Sequence, residues 1–420
     1  MSAKEKLTSM ITSEGADSLS VPKARPMLEG LKTMSLLKKI GLGLLILAIF
    51  LAPIFFQGFG HIFLIRIFAV IGLYILLALG LNIVVGYAGM LDFGRIAFYA
   101  VGAYTAMWVG VPIARALGEV LGGWSYFAAL PLGGLAACLV ALILGLPVMR
   151  LRGDYLTIVT LGFAEIVRIC LANNIFGLTN GAKGLPRLGD SLGEPPGLQW
   201  LKYNTFFRLG NNFEFQFTSN IYWYFVIFIL VILSIIIIRN LDNSRLGRSW
   251  AAVREDEVAA QAMGINTAKA KMYAFVIGAF FGGIAGVTFS YFQAYVSPGS
   301  FTFLESALVL AIVVIGGMGS IPGVLVGALA IQGIPEFIRG FASAGWFGNL
   351  PAEAISAISN YRYLVFGALM VFMMAVRPQG LIPSSRRSRE LHATGSDAVR
   401  ESTTLEDERN KVGETYHTQL

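Results

Sequence analysis

Apolar residues fall along this chain in long, nearly uninterrupted blocks, each close to the ~20 residues that carry a helix across a bilayer. In order they cover residues 40–56, 62–85, 96–111, 126–149, 155–172, 221–238, 272–296, 303–315, 324–338 and 361–376. The pattern predicts an all-α polytopic integral membrane protein with about ten transmembrane helices. The blocks at 303–315 and 324–338 are short, and Gly316-Gly317-Met318-Gly319-Ser320-Ile321-Pro322-Gly323 interrupts them. A single broken or re-entrant pair is the alternative there, which lowers the count to nine or so.

The polar segments between the blocks set the organisation. Residues 1–39 carry seven Lys/Arg against four Asp/Glu and no cleavable signal pattern, and form an N-terminal extension expected in the cytoplasm. Residues 384–420 are polar, mixed in charge and expected to be a disordered cytoplasmic tail. The membrane-embedded body is then 40–383. Ten spans with both termini inside put Arg150, Arg152, the 239–271 loop and Arg377, Arg386, Arg387 and Arg389 on the cytoplasmic side, which is the positive-inside pattern. The long segment 175–220 falls outside. Its Gly, Pro and Asn punctuation and its aromatic residues Trp200, Tyr203, Phe206 and Phe207 suit a partly ordered lid or docking surface, or a spacer with interfacial aromatics.

The loop at 239–271 has a pattern of its own. Its middle predicts a short helix, with Gly247 ahead of it, Ser249 as N-cap and Gly264 as left-handed C-cap. At helical spacing Ala251, Ala252, Val258, Ala259, Ala262 and Met263 make a small-apolar side, with Arg254, Glu257 and Gln261 opposite and Glu255 and Asp256 interrupting it. Such an element docks into a groove on a soluble partner, or is an ordinary solvated loop.

Composition narrows the class. A mean hydropathy of +0.67, with 55% hydrophobic and 14% charged residues in 420 positions, excludes an ordinary soluble enzyme. The net charge of +7 flanks the apolar blocks and is read as topology, with no nucleic-acid partner. Cys138 and Cys170 lie inside spans as small packing residues. The sequence contains no G-x-x-x-x-G-K-[ST], so any ATPase must be another subunit. His61, His392 and His417 are scattered, giving neither a metal site nor an H-E-x-x-H protease. Gly189-Asp190-Ser191-Leu192-Gly193 matches a nucleophile-elbow pattern without its strand and helix context and is set aside as chance. Gly278, Gly282 and Gly286, and Gly323 and Gly327, form small-residue ridges that let helices approach closely.

Charges at membrane depth are few, because each costs roughly 2.5–3.5 kcal/mol. They are Arg66, Asp92, Arg95, Glu165, Arg168, Glu305 and Glu336. Glu165 and Arg168 read as a self-neutralising pair or as a substrate contact. Asp92 and Arg95 stand in the glycine-rich break 86–95. With the 316–323 break, this one makes either a pair of interrupted segments lining a pathway or two tight turns at the cytoplasmic surface.

Gly80-Leu81-Asn82-Ile83-Val84-Val85-Gly86, Phe98-Tyr99-Ala100-Val101-Gly102-Ala103-Tyr104, the run 151–163 beginning Leu151-Arg152-Gly153-Asp154-Tyr155, and the run 311–320 ending Gly316-Gly317-Met318-Gly319-Ser320 resemble the permease subunits of bacterial branched-chain amino acid ABC importers, nearest the longer of their two paralogous permeases. The resemblance covers about 62–383. It implies alternating access in the inner membrane, a second paralogous permease, two ATP-binding subunits and a periplasmic substrate-binding protein. ATP and Mg would sit on the partners, with no cofactor and no catalytic residue on this chain, which touches only partners and membrane lipid. Ala259-Ala260-x-x-x-Gly264, with Glu257 upstream and Val258 intervening, is similar to the ATPase-coupling motif. The implied coupling residues are Gly247, Arg248, Trp250, Arg254, Glu255, Asp256, Glu257, Ala259, Ala260 and Gly264, and the pathway candidates are Asn82, Tyr87, Asp92, Thr160 and Glu165. Leucine, isoleucine and valine are the expected substrates; permeases of this family also import urea, amides and aromatic acids. An ion-coupled secondary transporter would instead use the Asp92, Glu165 and Glu336 carboxylates.

Overall fold

The computed structural model describes residues 53, 62–121, 125–149, 154–174, 177, 179–185, 220–293, 295–337, 367–368, 370–373, 375–376 and 380–382. All of the first expected span but residue 53, most of the last, both polar termini and most of the 175–220 loop, with its 189–193 pattern and its aromatic residues, lie outside the described residues.

Within them the chain is helical. The first long helices are α1 (Ile62–Asn82), α2 (Arg95–Leu121), α3 (Ser125–Val148), α4 (Asp154–Ala172) and α5 (Asn220–Asp242). Two short helices follow, α6 (Arg245–Glu255) and α7 (Glu257–Ala262), then α8 (Thr267–Gln293), α9 (Phe303–Gly316) and α10 (Ile321–Ala328). Six described segments are long and apolar enough to cross a membrane: Phe63–Tyr87, Ser125–Val148, Tyr155–Ala172, Asn220–Asp242, Thr267–Gln293 and Pro298–Gly316. The blocks at 62–85, 126–149, 155–172, 221–238, 272–296 and 303–315 fall on these six segments because, in hydrocarbon, each backbone group must be satisfied within its own segment.

The centre of the bundle is α8, against which α1, α2 and α3 pack. Its inward face is built from small residues, Gly278, Ala279, Gly282, Gly283, Ala285 and Gly286, all buried. A Cβ on Gly283 would stand 2.6 Å from the Gly133 carbonyl oxygen and 2.7 Å from the Ala137 side chain. Without a hydrophobic force between helices in lipid, such backbone-to-backbone approach supplies the packing attraction. Toward the far end of α8, hydroxyls fasten the same helices: Tyr126 lies 3.1 Å from Thr288, and Ser125 lies 3.2 Å from Tyr291. The rings of Tyr126, Trp223 and Tyr291 pack edge-on or tilted around them, bringing α5 into the group.

Two helices are interrupted. α1 runs into a π-helical turn, Ile83–Tyr87, closed by Ala88 N–H donating to the Ile83 carbonyl at 3.1 Å. α10 runs into a second one, Leu329–Gly333. π-turns are costly inserts that recur at functional sites. Between α9 and α10 the chain turns at Gly317 (φ 121°) and Gly319 (φ 79°), and the end of α9 is satisfied from afar. Leu381 and Ile382 N–H donate to the Ile315 and Gly316 carbonyls at 2.8 and 3.0 Å, so residues from the end of the membrane-embedded body occupy acceptors a helix terminus otherwise leaves open.

Candidate functional site

The segment after α5 folds as two helices where the sequence reading expects one, and the cap lies elsewhere. Ser244, not Ser249, caps α6: its hydroxyl accepts from Leu246 N–H at 3.2 Å and Gly247 N–H at 3.4 Å. Ser249 sits inside the helix and donates to the Arg245 carbonyl at 3.1 Å. Asp256 then ends one helix and starts the next. Its backbone is extended (φ −153°, ψ 116°), and its carboxylate accepts from Val258 and Ala259 N–H at 2.7 and 3.0 Å. Aspartate is a poor helix-interior residue and a strong N-cap, so the chain bends where the acidic pair interrupts the apolar side. Gly264 adopts the expected left-handed conformation (φ 82°). It donates to the Gln261 carbonyl at 2.9 Å while Ile265 donates to that of Ala260 at 3.0 Å, a Schellman motif.

Trp250, Val253 and Ala260 of this pair are buried and Arg254 and Glu257 are half-buried, while Val258, Ala259, Ala262 and Met263 are exposed. Trp250 is fully buried, and its indole N–H donates to the Ala270 carbonyl at 2.8 Å. Glu257 pairs with Lys271 at 2.7 Å, and Gln261 donates to the Thr267 hydroxyl at 2.9 Å. Arg254 reaches furthest: its Nη1 donates to the Gly86 carbonyl at 2.6 Å. Gly247 and Ala260 are buried, whereas Arg248, Glu255, Asp256, Ala259 and Gly264 are exposed. Met263 and Val258, at 82% and 66% exposure, crown the outward face together with Ala259 and Ala262.

Gly86 belongs to the first break, and the second break meets it there. The Asn82 side-chain oxygen accepts from Gly319 N–H at 2.8 Å, and a Cβ on Gly86 would stand 2.5 Å from that same nitrogen. Both breaks are packed in protein at Asn82, Gly86, Gly316 and Gly317, which are buried, while Gly89 and Leu91 of the first break are exposed. One cluster therefore holds the α1 π-turn, the α9–α10 turn and the guanidinium of α6.

Residues 91–95 continue this cluster toward α4 and α9. Asp92 and Arg95 form a fully buried ion pair at 3.1 Å, and the Asp92 carboxylate also accepts from Gly94 N–H at 2.7 Å. The Arg95 guanidinium packs where Gly278 leaves room and lies 5.9 Å from the Phe98 ring centre. Phe93 N–H donates to Thr160 at 3.3 Å, Thr157 donates to the Leu91 carbonyl at 3.3 Å, and Ser306 donates to that of Phe93 at 2.6 Å. Asn82, Asp92 and Thr160 thus lie in or against one connected break, with half-buried Tyr87 at its edge. Glu165 does not join them: its carboxylate takes the Arg168 Nε at 3.0 Å, in a part-exposed pair on α4.

Sequence reasoning missed Ser306, Gly319 and the inward role of Arg254. The glycines of 316–323 signalled a break, but nothing local marks which loop an arginine 168 residues away will reach. Among the described residues no group of three or more His, Cys, Asp or Glu is placed to hold a metal ion.

The comparisons with known proteins agree with one another. Residues 63–374 match the family model described as branched-chain amino acid transport system, permease component. The chain is similar to the high-affinity branched-chain amino acid transport system permease protein LivM of Escherichia coli K12, 42% identical over 330 residues covering 76% of this chain and 70% of that protein. LivM of Salmonella typhimurium LT2 gives the same values. LivH of Escherichia coli K12 is 28% identical over 318 residues, covering 74% of this chain and 91% of that protein. No solved structure matches. A helical body with six segments able to span a membrane, matched along most of its length by one family model, makes this chain a multi-pass membrane protein of the branched-chain amino acid transport system permease family.

Proposed function

We propose that this chain is one of two paralogous permeases in an ATP-driven importer of branched-chain amino acids. A LivH-type permease completes the pathway, two ATP-binding subunits carry ATP and Mg, and a periplasmic binding protein delivers the substrate. The complex lies in the bacterial cytoplasmic membrane, this chain crossing about ten times with both ends inside. The chain itself hydrolyses nothing.

The observation that carries the mechanism is the Arg254–Gly86 hydrogen bond, together with the Asn82–Gly319 bond beside it. The exposed ridge of Val258, Ala259, Ala262 and Met263 suits a groove on an ATP-binding subunit. Closure of those subunits displaces α6 and α7 as one piece, since Trp250, Glu257 and Gln261 fasten the pair to α8. Arg254 transmits that displacement to the α1 π-turn, and Asn82 transmits it to the α9–α10 turn. The glycine-lined crossings of α8 permit rigid-body rocking of the helices, which opens the path to either side in alternation.

The test is co-purification of the tagged chain in mild detergent, reconstitution of the recovered complex, and measurement of ATP hydrolysis and leucine uptake with the binding protein. Recovery of a second permease and ATP-binding subunits, with hydrolysis stimulated by leucine-loaded binding protein, is expected. A chain that purifies alone and takes up solute without ATP would overturn the proposal.

A further inference from the structure

Among the six described segments able to cross a membrane, the one on α4 is the least buried. On its inner side Thr157 and Thr160 bond to Leu91 and Phe93 of the first break. Its outward stripe runs Ile158, Gly162, Glu165 and Ile169, the i, i+4, i+7, i+11 spacing of one helix face. A Cβ on Gly162 would meet nothing within 4 Å. The Glu165 and Arg168 side chains pair with each other and still remain 41% and 32% exposed. Tyr155–Ala172 is 18 residues long, so at about 1.5 Å per residue Glu165 stands ~2 Å from its middle.

Hydrocarbon is a poor neighbour for that position. Carboxylates and guanidinium groups at mid-span face protein or water, because lipid chains offer them no partner. The other bare helix faces differ. α3 shows Leu135, Leu139, Leu142 and Leu146 to the outside, and α5 shows Ile229, Leu233 and Ile237, with no charged residue between the first and last of either set. Those two faces suit lipid; the stripe on α4 does not. We infer that this stripe is the seam on which the second permease packs, an inference that rests on the importer proposed above. Gly162 lets a helix of the partner cross closely, and the partner supplies hydrogen-bonding groups opposite Glu165 and Arg168. Two chains of one family associate most simply about an approximate two-fold axis, which brings like surfaces together, so the facing element is the partner's equivalent helix. The seam then lies one helix away from the first break, and movement between the permeases reaches Leu91 and Phe93 through Thr157 and Thr160.

The experiment uses the complete importer in vesicles, with a photoreactive amino acid in place of Ile158 or Ile169 and, for reference, of Leu139 on α3 or Leu233 on α5. Irradiation should join this chain to the second permease from Ile158 and Ile169, and only to lipid from Leu139 and Leu233. Gly162→Leu adds bulk where this chain has nothing in the way and improves helix propensity, so insertion should be normal. Recovery of the second permease with the tagged variant should nonetheless fall about tenfold, as overpacking of a close contact predicts. Two kinds of failure are distinct. A wild-type chain that brings down no second permease defeats the importer proposal and the seam with it. Recovery of the second permease defeats the seam alone if Gly162→Leu leaves it unchanged, if the adducts come from Leu139 or Leu233, or if Ile158 and Ile169 yield no adduct beyond lipid, water or this chain's own 40–56 block.

Discussion

Replacing Arg254 with alanine severs the link between the exposed helices and the first break. The wild-type bond joins a guanidinium to the Gly86 carbonyl at 2.6 Å, slightly shorter than the ~2.7–2.9 Å usual for a charge-assisted N–H···O bond. Hydrogen bonds to charged groups contribute ~1.5–3 kcal/mol, and a buried acceptor left without its donor costs a similar amount. At 1.4 kcal/mol per factor of ten, the coupling between α6 and the π-turn should fall roughly tenfold to a hundredfold. Membrane insertion should survive, because Trp250 and Glu257 still hold the helix pair to α8. The assay is paired: ATP hydrolysis and leucine uptake in the same vesicles. Arg254→Ala should retain the unstimulated hydrolysis of the complex while losing most of its uptake per ATP. Arg254→Lys, keeping the charge but not the planar fork, should fall between. Unchanged uptake per ATP in Arg254→Ala, with protein levels equal, would refute the reasoning.

Other perturbations follow from the same geometry. Gly264→Val should uncouple hydrolysis from uptake, because φ of 82° is strained for a β-branched residue even though a Cβ there meets nothing within 4 Å; Gly264→Asn, which tolerates that conformation, should keep most transport. Asp256→Ala should cost about 1 kcal/mol at the N-terminus of a six-residue helix and lower the recovery of ATP-binding subunits on purification, with Asp256→Ser restoring it. Gly86→Ala should drive a methyl to 2.5 Å from Gly319 N, break the Asn82 contact and reduce uptake while the family-typical complex still assembles; normal uptake would remove the junction of the two breaks from the mechanism. Cutting the Glu257–Lys271 pair by Lys271→Met should accelerate proteolysis between 245 and 265 in intact vesicles, since the pair is part-buried and bridges α7 to α8.

The membrane helices were legible because hydrocarbon leaves the backbone no partner outside its own segment, so apolar block length alone marks them. The glycine ridge on α8 was legible for a related reason: small residues at four-residue spacing have little use except close approach. The left-handed cap at Gly264 could be read from one residue. The bend at Asp256 could not, since helical periodicity makes Asp256 and Glu255 interruptions of one amphipathic helix and does not mark a terminus and a new cap. Nor was it legible that Arg254 faces inward, because periodicity assigns a charged residue to the polar side without saying what lies there. The meeting of the 86–95 and 316–323 breaks, joined by Asn82 and Gly319 across 237 residues, is tertiary information with no local trace. Glu165 illustrates the converse, a charge at membrane depth that invites a functional role yet is paired three residues away by Arg168.

The central claim is that α6 and α7 form the surface on which an ATP-binding subunit acts. Met263, 82% exposed and beside the Gly264 cap, is the position at which to test it. A photoreactive amino acid placed there in the assembled importer, irradiated with and without ATP, should form an adduct with the ATP-binding subunit, and the yield should change on nucleotide binding. An adduct confined to lipid or to this chain, unaffected by ATP, would contradict the account.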